Sequence, residues 1–165
     1  MKRLHSVVSV AIAIVALLIA APSQAQEKKQ SSAQISKRVV ADKKVHRLIL
    51  QVNTNDPAMM NLALNNATNV AQYYKDLGEN VTIDVVTFGP GLHMLRDDTS
   101  PVKARIKAIA ESTPSISFEA CGNTRENMSR AESKEVPLIS EAKVVKSGVV
   151  RVMELQEQGW TYVKP

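Results

Sequence analysis

His46-Arg47-Leu48-Ile49-Leu50-Gln51-Val52-Asn53 is the stretch that sets the fold. Two residues later come Asp56-Pro57 and then Met60, Ala63, Leu64, Ala67, Val70, Ala71, Tyr74 and Leu77. The first eight residues have the aliphatic density of a buried strand. Asp56 is a helix N-cap and Pro57 suits the first helical position. The apolar residues that follow recur at steps of three and four, and Gly78 is a natural stop, so a helix is expected here. The unit then repeats. An aliphatic run at 80–88 closes on Gly89-Pro90-Gly91, and Ser100-Pro101 opens a helix that buries Val102, Ile106, Ile109 and Ala110. Pro114 precedes a third strand at 115–120, which ends at Cys121-Gly122, and a short helix begins at Asn123. Val144-Val145 is a weak fourth strand. Ser147-Gly148 leads a helix carrying Val149, Val150, Val152, Met153 and Leu155, Gly159 stops it, and 160–163 is the last strand. Such alternation with short connections predicts a single α/β domain of flavodoxin-like (Rossmann-like) type. Its mostly parallel five-stranded sheet would be the middle of three layers.

Upstream of this domain the chain changes character. Residues 1–25 begin with Lys2, Arg3 and His5, run apolar over 7–21 except for Ser9, and end on Pro22-Ser23-Gln24-Ala25. A basic start, an apolar run shorter than the about 20 residues a spanning helix needs, and small residues before a cut make a secretory signal peptide. Cleavage after Ala25 is expected, with export to the periplasm and no stable membrane anchor afterwards. Residues 26–45 are polar and basic and read as a flexible lead-in, which leaves 46–165 as the domain.

Composition narrows the function. Of 165 residues, 44% are apolar and 22% charged, ordinary values for a globular chain, and 4% are aromatic, too few for a base-stacking platform. The net charge of +5 invites a nucleic-acid partner until it is located. Residues 26–47 carry seven bases against two acids, whereas 48–165 carry twelve against fourteen, so the domain is formally −2. No nucleic-acid binding is therefore expected of it. The single cysteine excludes an internal disulfide and a multi-cysteine zinc site. His46 and His93 form no ligand pair, and the chain lacks a P-loop or dinucleotide fingerprint, so neither metal nor cofactor is expected.

In sheets of this class ligands bind beyond the carboxyl ends of the strands, above all where the strand order reverses. Asn53, Gly89-Pro90-Gly91 and Cys121-Gly122-Asn123 fall at three such ends. In a flavodoxin-like order the first and third strands are neighbours, which places Asn53 and Cys121 on either side of a crevice. Asn123 as N-cap, with Glu126 completing a capping box, puts a helix start directly after Cys121. Free amides and the helix dipole there favour the thiolate, and Arg125 adds to the field. Gly122 allows backbone or ligand to approach the sulfur. The same placement fits a buried cysteine acting as a small apolar residue, and spacing alone leaves both readings open. Gly89-Pro90-Gly91 reads first as a turn and second as an anion-binding set of amides. Asn61, Asn65 and Asn69 share one helical face, set to meet solvent or a second subunit, while Asn66 reaches the crevice only from near the helix start. Asp97-Asp98 reads as part of a solvated loop.

Four segments carry a family likeness. Leu48-Ile49-Leu50-Gln51-Val52, Asn61-Leu62-Ala63-Leu64-Asn65-Asn66-Ala67, Val85-Val86-Thr87-Phe88-Gly89-Pro90-Gly91 and Phe118-Glu119-Ala120-Cys121-Gly122-Asn123-Thr124 resemble a DsrE/DsrF-like protein of an exported, periplasmic type. The closing segment 149–162, with Glu157-Gln158-Gly159-Trp160, resembles it as well. The likeness runs from about Leu48 to the C-terminus. It implies a flavodoxin-like domain that assembles into oligomers, commonly trimers or hexamers. It also implies a cysteine that carries sulfane sulfur as a persulfide, and a donor or acceptor protein as a further partner. By position Cys121 is that cysteine, in a crevice shaped by Gly122, Asn123, Thr124, Gly89, Gly91, Asn53 and Asn66. The expected function is periplasmic sulfur handling of a sulfurtransferase-like kind. The alternative is a non-catalytic ligand-binding or structural oligomeric module with the same fold.

Overall fold

Strand β1 (Val45–Val52) is the aliphatic run that begins the domain, with Leu48, Leu50 and Val52 on one face and Ile49 on the other, all buried. The structure is a computed structural model that describes residues 45–165; the expected signal peptide and residues 26–44 of the lead-in lie outside the described residues. Helix α1 (Pro57–Asp76) starts as its sequence dictates, the Asp56 carboxylate accepting the Ala58 N–H at 2.8 Å. Gly78, at φ 68°, carries the chain out of the helix in the left-handed conformation that costs glycine least. There follow β2 (Asn80–Thr87), a 3₁₀ helix Gly89–Leu95, α2 (Lys103–Ser112), β3 (Ile116–Cys121) and α3 (Gly122–Glu132). Strand β4 (Ala142–Val145), α4 (Gly148–Glu157) and β5 (Thr161–Val163) complete the domain.

All strand pairs are parallel and the order is β4-β3-β2-β1-β5. The chain lays down β1 to β4 in one direction, then returns through α4 to place β5 on the open edge of β1. This is a flavodoxin-like three-layer α/β domain. Its strand order corrects one expectation: β2 lies between β1 and β3, so the first and third strands are not neighbours. Both β1 and β2 are aliphatic enough to be central, and a right-handed crossover can deliver a strand to either side, so alternation alone does not fix the order.

The two faces are unequally covered. Met60, Ala63, Leu64 and Ala67 of α1 and Ile106 and Ile109 of α2 pack with Leu50, Val85 and Phe118, and Met128 of α3 packs against that cluster. On the opposite face Val152 and Leu155 of α4 meet Ile49 and Val86, with Phe88, Trp160 and Tyr162 around them. Each fully buried aliphatic side chain is worth about 1.5–3 kcal/mol, so the first face supplies most of the hydrophobic stabilisation.

Two local starts differ from expectation. Helix α2 begins at Lys103, because Ser100 makes a local turn: its hydroxyl donates to the Met94 carbonyl at 2.6 Å and accepts the Val102 N–H at 3.3 Å. Gly89-Pro90-Gly91 is the opening of the 3₁₀ helix rather than an isolated turn.

Candidate functional site

Cys121 is the last residue of β3 and the N-cap of α3, so one side chain ends a strand and starts a helix. Its sulfur, not the Asn123 side chain, accepts from the third helical amide, Thr124 N–H, at 3.4 Å. Asn123 lies inside the helix, its N–H bonded to the Lys146 carbonyl at 3.1 Å, which removes the expected Asn123–Glu126 capping box. The parallel neighbour β4 ends beside β3, with Cys121 in register with Val145, and this brings the start of α4 to the same sulfur. A Cβ at Gly148 would lie 3.2 Å from the Cys121 Cβ and 2.9 Å from the Phe88 ring, so only glycine lets α4 approach this closely.

The thiol therefore sits between two helix N-termini. Burial pushes its pKa up, since Cys121 is 4% exposed. The Thr124 hydroxyl and the N–H groups of Gly148, Thr124 and Asn123 pull it down, and the balance leaves the thiol below its ordinary value. The Arg125 guanidinium takes no part, being committed to the Val136 carbonyl at 2.9 Å and the Glu135 carboxylate at 2.6 Å.

The other expected site residues divide. Thr124 and Gly89 come together, the Gly89 N–H donating to the Thr124 hydroxyl oxygen at 3.0 Å. They line an open depression of about 470 Å³ with Pro90, His93, Asn127 and Met128. Gly122 lies against backbone, where a Cβ would be 3.2 Å from the Val145 carbonyl oxygen, so its smallness serves the packing of β4 on α3. Gly91 is likewise structural: a Cβ there would fall 2.1 Å from the Val52 carbonyl oxygen. Asn53 stands at the end of β1, two strands from Cys121, by a small crevice shared with Met59, Lys164 and Pro165. Asn66 is not at this end of the sheet, for it lines a groove with His46, Tyr74 and Val163 at the start of β1. Asn65 and Asn69 are exposed, so their helical face meets solvent, and the amide oxygens of Asn61 and Asn65 also hold Arg105 at 2.8 and 2.5 Å.

Three features that sequence reasoning missed frame the site. Arg151 of α4 donates to Glu119 through Nε at 2.9 Å and Nη2 at 3.0 Å, and to Asp84 through Nη2 at 3.1 Å. Asp84 and Glu119 lie buried in β2 and β3. Arg96, 1% exposed, grips Asp98 and Glu132 and thereby ties the loop after the 3₁₀ helix to the end of α3. Asp97 and Asp98 are both exposed, as a solvated loop requires, and Asp98 is in addition anchored by Arg96, whose hydrogen bonds hold it well below the usual carboxylate range. Gly148 is the third. The sequence sign of the Arg151 cluster is only a charge set among aliphatic residues of a strand, as Asp84 is between Ile83 and Val85, and it does not say which way that charge faces. Among the described residues no group of three or more metal-ligating side chains gathers, and no helix is long and apolar enough to cross a membrane.

No family model and no curated protein matches the chain. Among solved structures the chain is similar to MTH1491 from Methanobacterium thermoautotrophicum, a protein of unknown function. The two share 27% identity and a TM-score of 0.62 over 73% of this chain and 99% of that one. The similarity spans the whole of that chain and supports the architecture; it names no reaction.

Proposed function

We propose that this protein is a periplasmic sulfur carrier in which the Cys121 thiolate accepts sulfane sulfur and passes it on as a persulfide. The observation that carries this reading is the convergence of two helix N-termini on one thiol, an arrangement that favours the nucleophilic form. In the step, the Sγ thiolate attacks the outer sulfur of a donor R–S–SH. The donor S–S bond breaks, its electron pair leaves with R–S⁻, and the new bond gives Cys121–S–SH. Attack by an acceptor thiolate on that outer sulfur returns the Cys121 thiolate, with no net oxidant. With 4% of Cys121 exposed, slim donors such as inorganic polysulfide are favoured, and a protein partner would have to present its sulfur on an extended segment. The resemblance of residues 118–124 to the DsrE/DsrF-like pattern and the signal-like residues 1–25 support the sulfur chemistry and the export, respectively.

Incubation with polysulfide followed by intact mass measurement tests the reading. Wild type should gain one or more sulfur atoms and Cys121→Ala none; no gain on wild type, or equal gain on both, overturns it. The depression beside Thr124 favours a second reading, a non-catalytic module that holds a small ligand there. That reading expects ligand-dependent stabilisation which survives Cys121→Ser. Assembly into a homo-oligomer is part of the proposal, supported by exposed Val149, Val150 and Met153 on α4 and Val144 on the edge strand β4. Light scattering should find an oligomer for wild type and a smaller species for Met153→Glu.

A further inference from the structure

We infer that Arg151 is a positioning residue for Cys121: anchored by Asp84 and Glu119, it fixes the first turn of α4 so that the Gly148 N–H faces the sulfur. The inference rests on Cys121 being the working thiol, but not on the sulfur chemistry itself. Three observations lead to it. The Arg151 backbone N–H bonds to the Ser147 carbonyl at 2.9 Å, closing the first turn of α4. Its guanidinium is simultaneously held by carboxylates from two central strands, so that turn is tied to the sheet. Ser147, the N-cap of α4, makes no side-chain capping bond, which leaves the first amides of the helix free for another acceptor.

Glu119 stands two residues before Cys121, on the same face of β3, so anchor and thiol share one rigid strand. The ionisable groups around the cluster are Asp84 on β2, Glu119 on β3, Arg151 on α4 and Lys143 on β4, the last reaching the Ser117 hydroxyl at 3.3 Å. From α3, Arg125 is turned away to Glu135.

The test is the pH profile of Cys121 alkylation by iodoacetamide, with the Gly148 amide followed by nuclear magnetic resonance. Arg151→Lys keeps the charge but loses the fork; Arg151→Ala loses both. Both variants should lower the thiolate fraction near neutral pH, by about tenfold in Arg151→Ala, a rise of one pKa unit, and by less in Arg151→Lys. In wild type the Gly148 amide shift should move with the thiol titration, and in Arg151→Ala it should not. A rise in Arg151→Ala with no change in Arg151→Lys would mean that charge alone acts, and would overturn the positioning role. So would a folded Arg151→Lys with the wild-type profile and an unaltered Gly148 response, whether or not Arg151→Ala folds. Sulfur uptake by wild type is measured in parallel. If it fails while both variants still raise the thiol pKa, the sulfur reading falls and the positioning of the thiol stands.

Discussion

A thiol at one helix N-terminus gains a modest electrostatic advantage; a thiol shared by two gains amides from both, provided the second helix can come close enough. Gly148 is the residue that allows this. In Gly148→Ala the new methyl must displace the Phe88 ring or the Cys121 Cβ, 2.9 and 3.2 Å away. The variant should lose about 1–3 kcal/mol in denaturant unfolding, as overpacked sites do, and its thiol should alkylate more slowly at neutral pH. Equal thiol reactivity in a folded Gly148→Ala would separate α4 from the thiol. Gly91→Ala should fare worse, because its methyl would meet the Val52 carbonyl oxygen, a backbone atom with little room to yield. Cys121 and Gly122 were legible as candidates because a strand, a cysteine, a glycine and a helix start follow one another in the chain. The role of Gly148 was not, since its partner is 27 positions away and meets it only when β4 pairs with β3.

Among the described residues helix α4 is the only helix on its side of the sheet, and it is held there by a mixed contact: Val152 and Leu155 on aliphatic residues, Arg151 on two buried carboxylates. Burial and the neighbouring Glu119 charge push Asp84 up to about 6, against the pull of Arg151. The unfolded carboxyl titrates at about 3.9, so between that value and about 6 the folded protein binds the extra proton. Stability from this group therefore falls as pH rises through that window and is level above it. Asp84→Asn removes the slope: the melting temperature of the variant should gain on wild type between about pH 4.5 and about pH 7.5. A constant gap across that range would show that Asp84 does not titrate there. The helix itself was legible from its apolar residues. Its ion cluster was not, because Asp84, Glu119 and Arg151 are far apart in sequence, and a charge on a strand reads by itself as an outward position.

Across the molecule, Arg96 links the loop after the 3₁₀ helix to the far end of α3, as Cys121 fixes its near end. Arg96→Ala leaves the space of a fully buried long side chain and frees two carboxylates that it had gathered. A loss of about 2–4 kcal/mol is expected in denaturant unfolding, with α3 amides exchanging faster than those of β1 and β2. Unchanged stability would make the cluster decorative. The sheet order also decides what is near what. With β2 between β1 and β3, Asn53 is removed from Cys121, and the residues gathered at the thiol come from β3, α3, the β4–α4 junction and Phe88. Charge places its own limit on partners: the described domain lacks the basic surplus that the whole chain shows, which belongs to residues 1–47.

The sequence by itself determined the alternation of strands and helices, the parallel α/β class and the position of Cys121 at a strand-to-helix junction. Those properties depend on periodicity, capping and turn residues, which act over a few neighbouring positions. Tertiary structure alone decided the strand order, the meeting of α4 with Cys121, the withdrawal of Asn53 and Asn66, and the burial of the Arg151 and Arg96 clusters. Each of these joins groups distant in the chain, and their energies arise only when the sheet has closed the loops between them.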